Sequence, residues 1–535
     1  MSAERCDLLV LGGGPAGSTV AAMAARAGLE VALLEADQHP RAHVGESLLP
    51  GIIPILEAIG ALEAVEAAGF GRKSGTTHFQ WGTTPEWDLF FRDTDLYEHA
   101  WLVERGRFDA ILLDAARRAG ARVIELAAAK APIWEDGRLV GVSWRARGEE
   151  APRELRARFV VDATGQASFL ARHLGLRERL PGLQHQAAWA HWEGAGRLPP
   201  PREHQAVFVA EARCWLWLFP LSIDRASVGV ISLDSAPVGE AEYERAIRES
   251  GRLSAILGED ARRVTPVRSQ RDWSYEVRAV CGPGWLLCGD ASGFIDPVLS
   301  TGVFLAMHAA YLAGGLLSRV LSGTLAEAAA LAEYQSRHRE LFGDLLRMVR
   351  FYYQQNLARE DYFWESKRIL MNEETALRPQ KAFLVLTSGL VKNLALDDVQ
   401  AAQAARRGGE AGPEGGDLAT HDPDHLGFIC VQLRHLRADG EAPALFFLIE
   451  GLRPAEPALF RTRHWQINCL APRYGNDPIR QPRLAAPLRA LAATIRRLDD
   501  REGSLAEFWR RARVELAAAA ASLAPELEVV RIFGE

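Results

Sequence analysis

Cysteine is scarce and dispersed. The six in the chain (Cys6, Cys214, Cys281, Cys288, Cys430 and Cys469) form no CxxC pair and no Cys/His ligand spacing, so the sequence predicts neither a metal centre nor a disulfide framework. The N-terminal stretch MSAERCDLLVLGGG lacks the basic region, apolar segment and small-residue cleavage site of a secretory signal. No run of roughly 20 consecutive apolar residues occurs either, so no membrane span is expected. Together these absences predict a cytoplasmic protein. Charge of one sign is also missing. With 62 Lys and Arg against 69 Asp and Glu, a net charge of -7 and a pI near 6.1, nothing points to nucleic acid or an anionic membrane as partner.

The chain is ordinary in bulk and long in extent. Its composition, 48% hydrophobic and 24% charged, matches soluble globular proteins rather than disordered or fibrous ones. At 535 residues it exceeds one typical core, so two domains with a C-terminal extension are expected. Residues 6 to 35 read strand, Gly-rich turn, helix, strand, a βαβ unit whose first strand is nearly all apolar, as burial on both faces requires. From about 70 to 100 and from 185 to 280, short runs rich in Trp, Phe, Val and Thr predict a second, more antiparallel layer. After Asp290 the three- and four-residue apolar spacing predicts helices. Residues 406 to 427 are rich in Gly, Pro and acid and read as an exposed loop. Beyond them GFICVQLRHLR and ALFFLIEGLR read as short strands, and the last forty residues as an amphipathic helix.

Gly12, Gly14 and Gly17 form GxGxxG directly after a strand and at the start of a helix, a context that makes the pattern informative. Gly12 allows the tight turn, Gly14 lets backbone approach a pyrophosphate, and Gly17 allows close helix packing. The pyrophosphate would lie at the helix N-terminus, where free NH groups and the dipole favour an anion. Glu35 ends the second strand, where an acid accepts hydrogen bonds from a ribose. This motif alone does not separate FAD from NAD. No second GxGxxG for a nicotinamide cofactor is visible, so the reductant is expected to come from elsewhere.

Two further segments, RFVVDATGQAS with Asp162 and Gly165, and GWLLCGDASGFIDP with Gly289 and Asp290, resemble the ATG and GD segments of the glutathione-reductase-like FAD superfamily. In that superfamily the GD aspartate binds the ribityl chain. HVGESLLP (His43 to Pro50), CWLWLFP with Trp215, Trp217 and Pro220, GDASGFIDPVLSTGVFLA (Gly289 to Ala306) and YFWESKRIL (Tyr362 to Leu370) together resemble the flavin-dependent halogenases of the phenol and pyrrole type. Phe219 stands where the family's WxWxIP element has isoleucine.

The resemblance implies an α/β fold: a glutathione-reductase-like FAD-binding Rossmann domain, a mixed β-sheet substrate domain and a helical C-terminal extension. Residues 1–375 would form the FAD-binding core, and 376–535 a domain that covers or shapes the substrate pocket. It further implies a cofactor site of Gly12, Gly14, Ala16, Gly17, Glu35, Glu46, Ser47, Asp162, Gly289, Asp290 and Gly302. Arg105 matches a flavin-contacting arginine of related proteins, and an ordinary surface salt bridge is the alternative. Halide would be held by backbone NH groups of Ser300, Thr301 and Gly302. Trp215, Trp217 and Pro220 would wall the flavin off from the substrate. Lys73 falls at the family's catalytic lysine. The implied chemistry starts from reduced FAD and O2, passes through a flavin hydroperoxide that halide converts to hypohalous acid, and has Lys73 hold it as an ammonium or carry the halogen as a haloamine. Burial would raise the neutral fraction of the amine.

The tryptophan-halogenase branch has a glutamate immediately before the STG turn, and here that position is Leu299. The expected substrate is therefore an electron-rich phenol or pyrrole, free or bound to an acyl carrier protein, rather than free tryptophan. An aromatic monooxygenase, an oxidase or desaturase on the same scaffold, and a non-catalytic flavin-binding partner are the competing readings.

Overall fold

The computed structural model describes residues 4–94, 97–233, 238–354, 357–370 and 379–390, together with four strands between 427 and 533. The chain divides into two compact units, one of residues 1–362 and 384–399 and one of residues 363–383 and 400–535.

In the first unit, a sheet with a parallel centre carries the βαβ element. Glu4–Leu11 lies between Arg153–Asp162 and Val31–Leu34, with Trp285–Leu287 and Arg122–Ile124 flanking them, all parallel. Val31–Leu34 is buried along its whole length, as a strand covered on both faces must be. The helices Pro15–Arg26, Arg105–Arg118 and Gly302–Leu321 pack together on this layer. Gly302–Leu321 is the one helix among the described residues long and apolar enough to cross a bilayer. It is mostly buried, between Pro15–Arg26 and Glu327–Tyr352.

A second sheet of nine strands is almost wholly antiparallel, with Gly75–Phe79 beside Gln205–Ala210 as a parallel pair. Its strands come from residues 75 to 90 and 177 to 294. The period-two alternation of a strand gives this sheet two unlike faces. Leu216, Leu218, Val228 and Val230 point into a core closed by Tyr243 and Leu253 of two short helices. The opposite face carries a cross-strand row of Trp87, His78, Phe208, Trp217, Gly229 and Trp189, each in register with the next. A small ladder joins Gly71–Lys73 to Ala100–Leu102, whose Leu102 is also bridged to Ser47.

In the second unit, Ile467–Cys469, Leu445–Gly451, Gly427–Leu433 and Leu527–Phe533 form an antiparallel sheet in that order. The two strands expected after residue 427 are present. The expected C-terminal helix is corrected at its end: Leu527–Phe533 is a strand. Its Val529, Val530, Ile532 and Phe533 favour extended backbone, and pairing with Gly427–Leu433 decides the outcome. The loop read at 406 to 427 lies outside the described residues except for Gly427.

Candidate active site

The turn after Glu4–Leu11 opens one end of a cavity of about 550 Å³. Gly12 has φ +99°, and a Cβ there would sit 2.3 Å from the carbonyl oxygen of Ala163. A Cβ on Gly17 would lie 1.8 Å from the Gly12 oxygen. Gly17 therefore packs the helix onto the turn itself. Gly14 differs from both, because its nearest neighbour is the Arg41 guanidinium at 3.5 Å and it faces the cavity. Glu35 accepts from the backbone NH of Gly13 at 2.6 Å and of Asp37 at 2.8 Å, which fixes the second strand end against the turn. Ala16 and Gly289 meet at this wall, where a Cβ on Gly289 would be 3.1 Å from the Ala16 Cβ.

Asp290 lines the same cavity, and burial pushes its carboxyl up to about 6 against the attraction of Arg105. Its carboxylate oxygens have no hydrogen bond among the described residues, so they would be free to accept from the ribityl hydroxyls of a bound FAD. Arg105 also lines the wall, but its guanidinium is committed. It makes a bidentate pair with Asp109 at 2.9 and 3.1 Å and donates to the carbonyl of Val44 at 2.7 Å. The pair is buried rather than on the surface. Asp162 is a correction: it lies off the wall and is fully buried, with its carboxylate accepting from Thr164 N, Thr164 Oγ1 and Leu170 N. It holds the Ala163–Gly165 turn, and that turn forms the wall. Burial raises its carboxyl despite these bonds.

At the far end, Trp215, Trp217 and Phe219 present one face of Cys214–Pro220 to the cavity. Trp217 lies flat over Gly229 of the adjacent strand, where a Cβ would be 2.1 Å from the ring. Pro220 is also corrected. It lies outside the wall, and its carbonyl would be 2.3 Å from a Cβ on Gly71. With Gly71 N bonded to Leu221 O at 2.7 Å, this end of the strand seats Gly71–Lys73.

Lys73 itself is fully buried and set one residue back from the wall. Its Nζ donates to Ser47 Oγ at 2.8 Å and to the Leu48 carbonyl at 3.1 Å, and stands 5.2 Å from the Phe91 ring centroid. Desolvation alone pulls its pKa down from 10.5 to about 7. Ser300 Oγ donates to the same Ser47 hydroxyl at 3.0 Å. Ser47 and Ser300 both line the cavity, so two hydroxyls connect the wall to the buried amine. Ser300 adopts φ +57°, a left-handed conformation that costs a serine energy. It leads into Gly302–Leu321, whose first NH groups have no intrahelical acceptor. Gly302 borders the cavity, whereas Thr301 is buried outside the wall. Glu46 accepts from or shares a proton with His191 Nε2 at 2.7 Å.

The turn, the orphaned Asp290 carboxylate, the open Gly14 and the aromatic far wall fit FAD along the length of the cavity. The tryptophan halogenase family model matches residues 7–94 and 92–384. The chain belongs to the flavin-dependent halogenases. This halogenase is 33% identical over 417 residues to a tryptophan 2-halogenase of Chondromyces crocatus, covering 75% of this chain and 78% of that protein. It is 29% identical to a 1H-pyrrole-2-carbonyl-[peptidyl-carrier protein] chlorinase of Pseudomonas fluorescens, covering 67% of this chain and 85% of that one. Among solved structures, the myxobacterial chondrochloren halogenase CndH superposes with a TM-score of 0.60 at 34% identity, over 74% of this chain and 91% of its own. As a family member this halogenase is an FAD enzyme whose co-substrates are halide and O2.

Several residues of the halogenase site escaped sequence reasoning. Gly229, His185 and Tyr353 carry no local signal, because their partners come from distant strands and helices. Asp296 was within reach, as the acid of GFIDP three residues past the glycine. His78 stacks between Trp87 at 4.0 Å and Phe208 at 5.1 Å, and burial together with the charge of Lys73 keeps its ring neutral, pulling its pKa down to about 3.

Proposed function

We propose that this halogenase places chloride or bromide on an electron-rich phenol or pyrrole, free or tethered to a carrier protein, with Lys73 as the residue that delivers the halogen. The chain of Lys73 Nζ, Ser47 Oγ and Ser300 Oγ carries this reading. Reduced FAD, O2, halide and a proton together give oxidised FAD, hypohalous acid and water, and a separate flavin reductase supplies the reduced cofactor. Of the expected halide donors, the Ser300 NH is spent on the Pro297 carbonyl, so the Gly302 NH holds the halide beside the cavity, at the start of a long helix where an anion is favoured.

Lys73 acts as the neutral amine. Among the described residues no carboxylate bonds it, and its two hydrogen bonds go to a hydroxyl and a carbonyl. A neutral amine satisfies both with its two N–H bonds and keeps its lone pair for halogen. The N–H is exchanged for N–X with release of water. The substrate ring then takes the halogen, its C–H becoming C–X, and the amine recovers its N–H. Leu299, buried before Ser300, brings no carboxylate to accept the ring proton. A ring activated by its own OH or NH needs less help, which favours phenol or pyrrole. The pyrrole-carbonyl chlorinase among the relatives supports this class.

The test is aerobic turnover with FAD, a flavin reductase, NADH and chloride or bromide. The panel holds phenols, pyrroles and free tryptophan, with phenols and pyrroles also on a carrier protein, and products are read by mass spectrometry. A halogen isotope pattern on a phenol or pyrrole is expected, and Lys73→Ala should bind FAD yet give no halogenated product. Halogenation confined to tryptophan would overturn the substrate assignment, and oxygen insertion or loss of two hydrogens would overturn the reading altogether.

A further inference from the structure

A partly buried hydrogen-bonded chain ties two walls of the cavity together. The Trp215 indole NH donates to Tyr353 Oη at 3.1 Å, and the Tyr353 hydroxyl donates to Asp296 Oδ1 at 2.8 Å. The same Oδ1 accepts from Val298 N at 2.9 Å, while Oδ2 is 2.9 Å from His185 Nδ1. The direction of the chain is fixed. An indole NH only donates, so Tyr353 must accept from it and spend its single proton on the carboxylate. Four separate parts of the fold meet here: the strands Arg177–Glu193 and Cys214–Pro220, the turn before Gly302–Leu321, and the residue after Glu327–Tyr352. The Tyr353 ring also packs against His185, with centroids 4.8 Å apart.

We propose that Asp296 and Tyr353 are positioning residues that set Trp215 and the Pro297–Gly302 turn relative to one another. The inference rests on the halogenase reading above. Asp296 and Trp215 both line the cavity, whereas Tyr353 and His185 stand behind it. Through Val298 N the carboxylate holds the turn that carries Ser300, itself closed by the Ser300 N bond to Pro297 O at 3.0 Å. Through Tyr353 it holds the indole. One anion thus aligns the element that binds halide and the aromatic wall that separates flavin from substrate. Without the tyrosine hydroxyl the indole loses its acceptor, while Asp296 keeps His185 and Val298.

Tyr353→Phe removes only the hydroxyl and keeps the ring, so the fold is preserved; Trp215→Phe and the double variant complete the cycle. Two quantities are read. The first is the fluorescence of oxidised FAD bound to each protein, which needs neither halide nor substrate and rises as an indole quencher leaves its wall position. The second is the halogenated product formed per flavin reoxidised. Tyr353→Phe should raise bound-flavin fluorescence and lower the product ratio roughly fivefold, the weight of one neutral hydrogen bond. The double variant should match Trp215→Phe alone. Unchanged fluorescence in Tyr353→Phe overturns the proposal, as does a loss of equal size in the Trp215→Phe background. Should wild type give no halogenated product from any substrate, the functional reading falls while fluorescence still decides the anchor.

Discussion

Burial alone moves the Lys73 amine from 10.5 to about 7, and among the described residues no carboxylate bonds it to hold the charge. At neutral pH about half of the molecules would then carry the free amine, against a negligible fraction for a solvated lysine. If the amine carries the halogen, kcat at saturating FAD rises as pH passes through about 7 and then levels. A fall across the same range would mean that the ammonium is the working form. Burial pushes the Asp290 carboxyl on the cavity wall up to about 6, below the Lys73 value. The Lys73 shift also acts on stability. The unfolded chain holds the Lys73 proton up to about 10.5 and the folded chain releases it near 7, so between these limits stability grows with pH. The slope is at most about 1.4 kcal/mol per pH unit for one proton. Urea unfolding of the apoprotein between pH 7 and 9 should show this slope reduced in Lys73→Met. An identical slope in the two proteins would mean that Lys73 keeps its proton in the fold.

At the scale of elements, the turn into Pro15–Arg26 separates two kinds of glycine that the GxGxxG pattern treats alike. A methyl on Gly17 collides with the Gly12 carbonyl at 1.8 Å, whereas a methyl on Gly14 projects toward the cavity. Gly17→Ala should destabilise the apoprotein, by roughly 1–3 kcal/mol as overpacking does. Gly14→Ala should leave its melting unchanged and weaken FAD binding by isothermal titration. Equal effects of the two on folding would refute this division. The turn was legible in the sequence because its requirements are local: positive φ, close approach, helix start. The Trp215 and Trp217 alternation was legible for the same reason, since side chains of a strand change face at every residue. Gly229 was not, because its reason lies in the Trp217 ring across the ladder, 12 residues earlier and visible only once register is known. Asp162 looked like a ligand because it ends a strand in a small-residue turn; only its three hydrogen bonds reveal that it serves the turn. Lys73 had no local signature whatever and was located by resemblance.

Over the whole molecule, legibility follows where the chemistry lies. The family match ends at residue 384, and every residue lining the cavity falls at or before Ala306. The second unit offered short apolar runs, enough for two strands, but the strand Leu527–Phe533 is specified by its partner Gly427–Leu433 nearly a hundred residues earlier. The cofactor assignment can be tested without any turnover. A ligand that binds only the folded chain stabilises it by about 2.7 kcal/mol at a hundredfold excess over Kd. Oxidised FAD at that excess should therefore raise the thermal midpoint of the unit that contains the cavity by several degrees. Lys73→Met should show the same FAD-induced rise, because Lys73 lies behind Ser47 and off the wall. Gly14→Ala, compared at the same total FAD, should show a smaller rise, since its methyl occupies cavity space and lowers occupancy. Absence of any rise in the wild type would take FAD out of this cavity. A rise lost in Lys73→Met but kept in Gly14→Ala would place the cofactor on the lysine side of Ser47 rather than along the glycine turn.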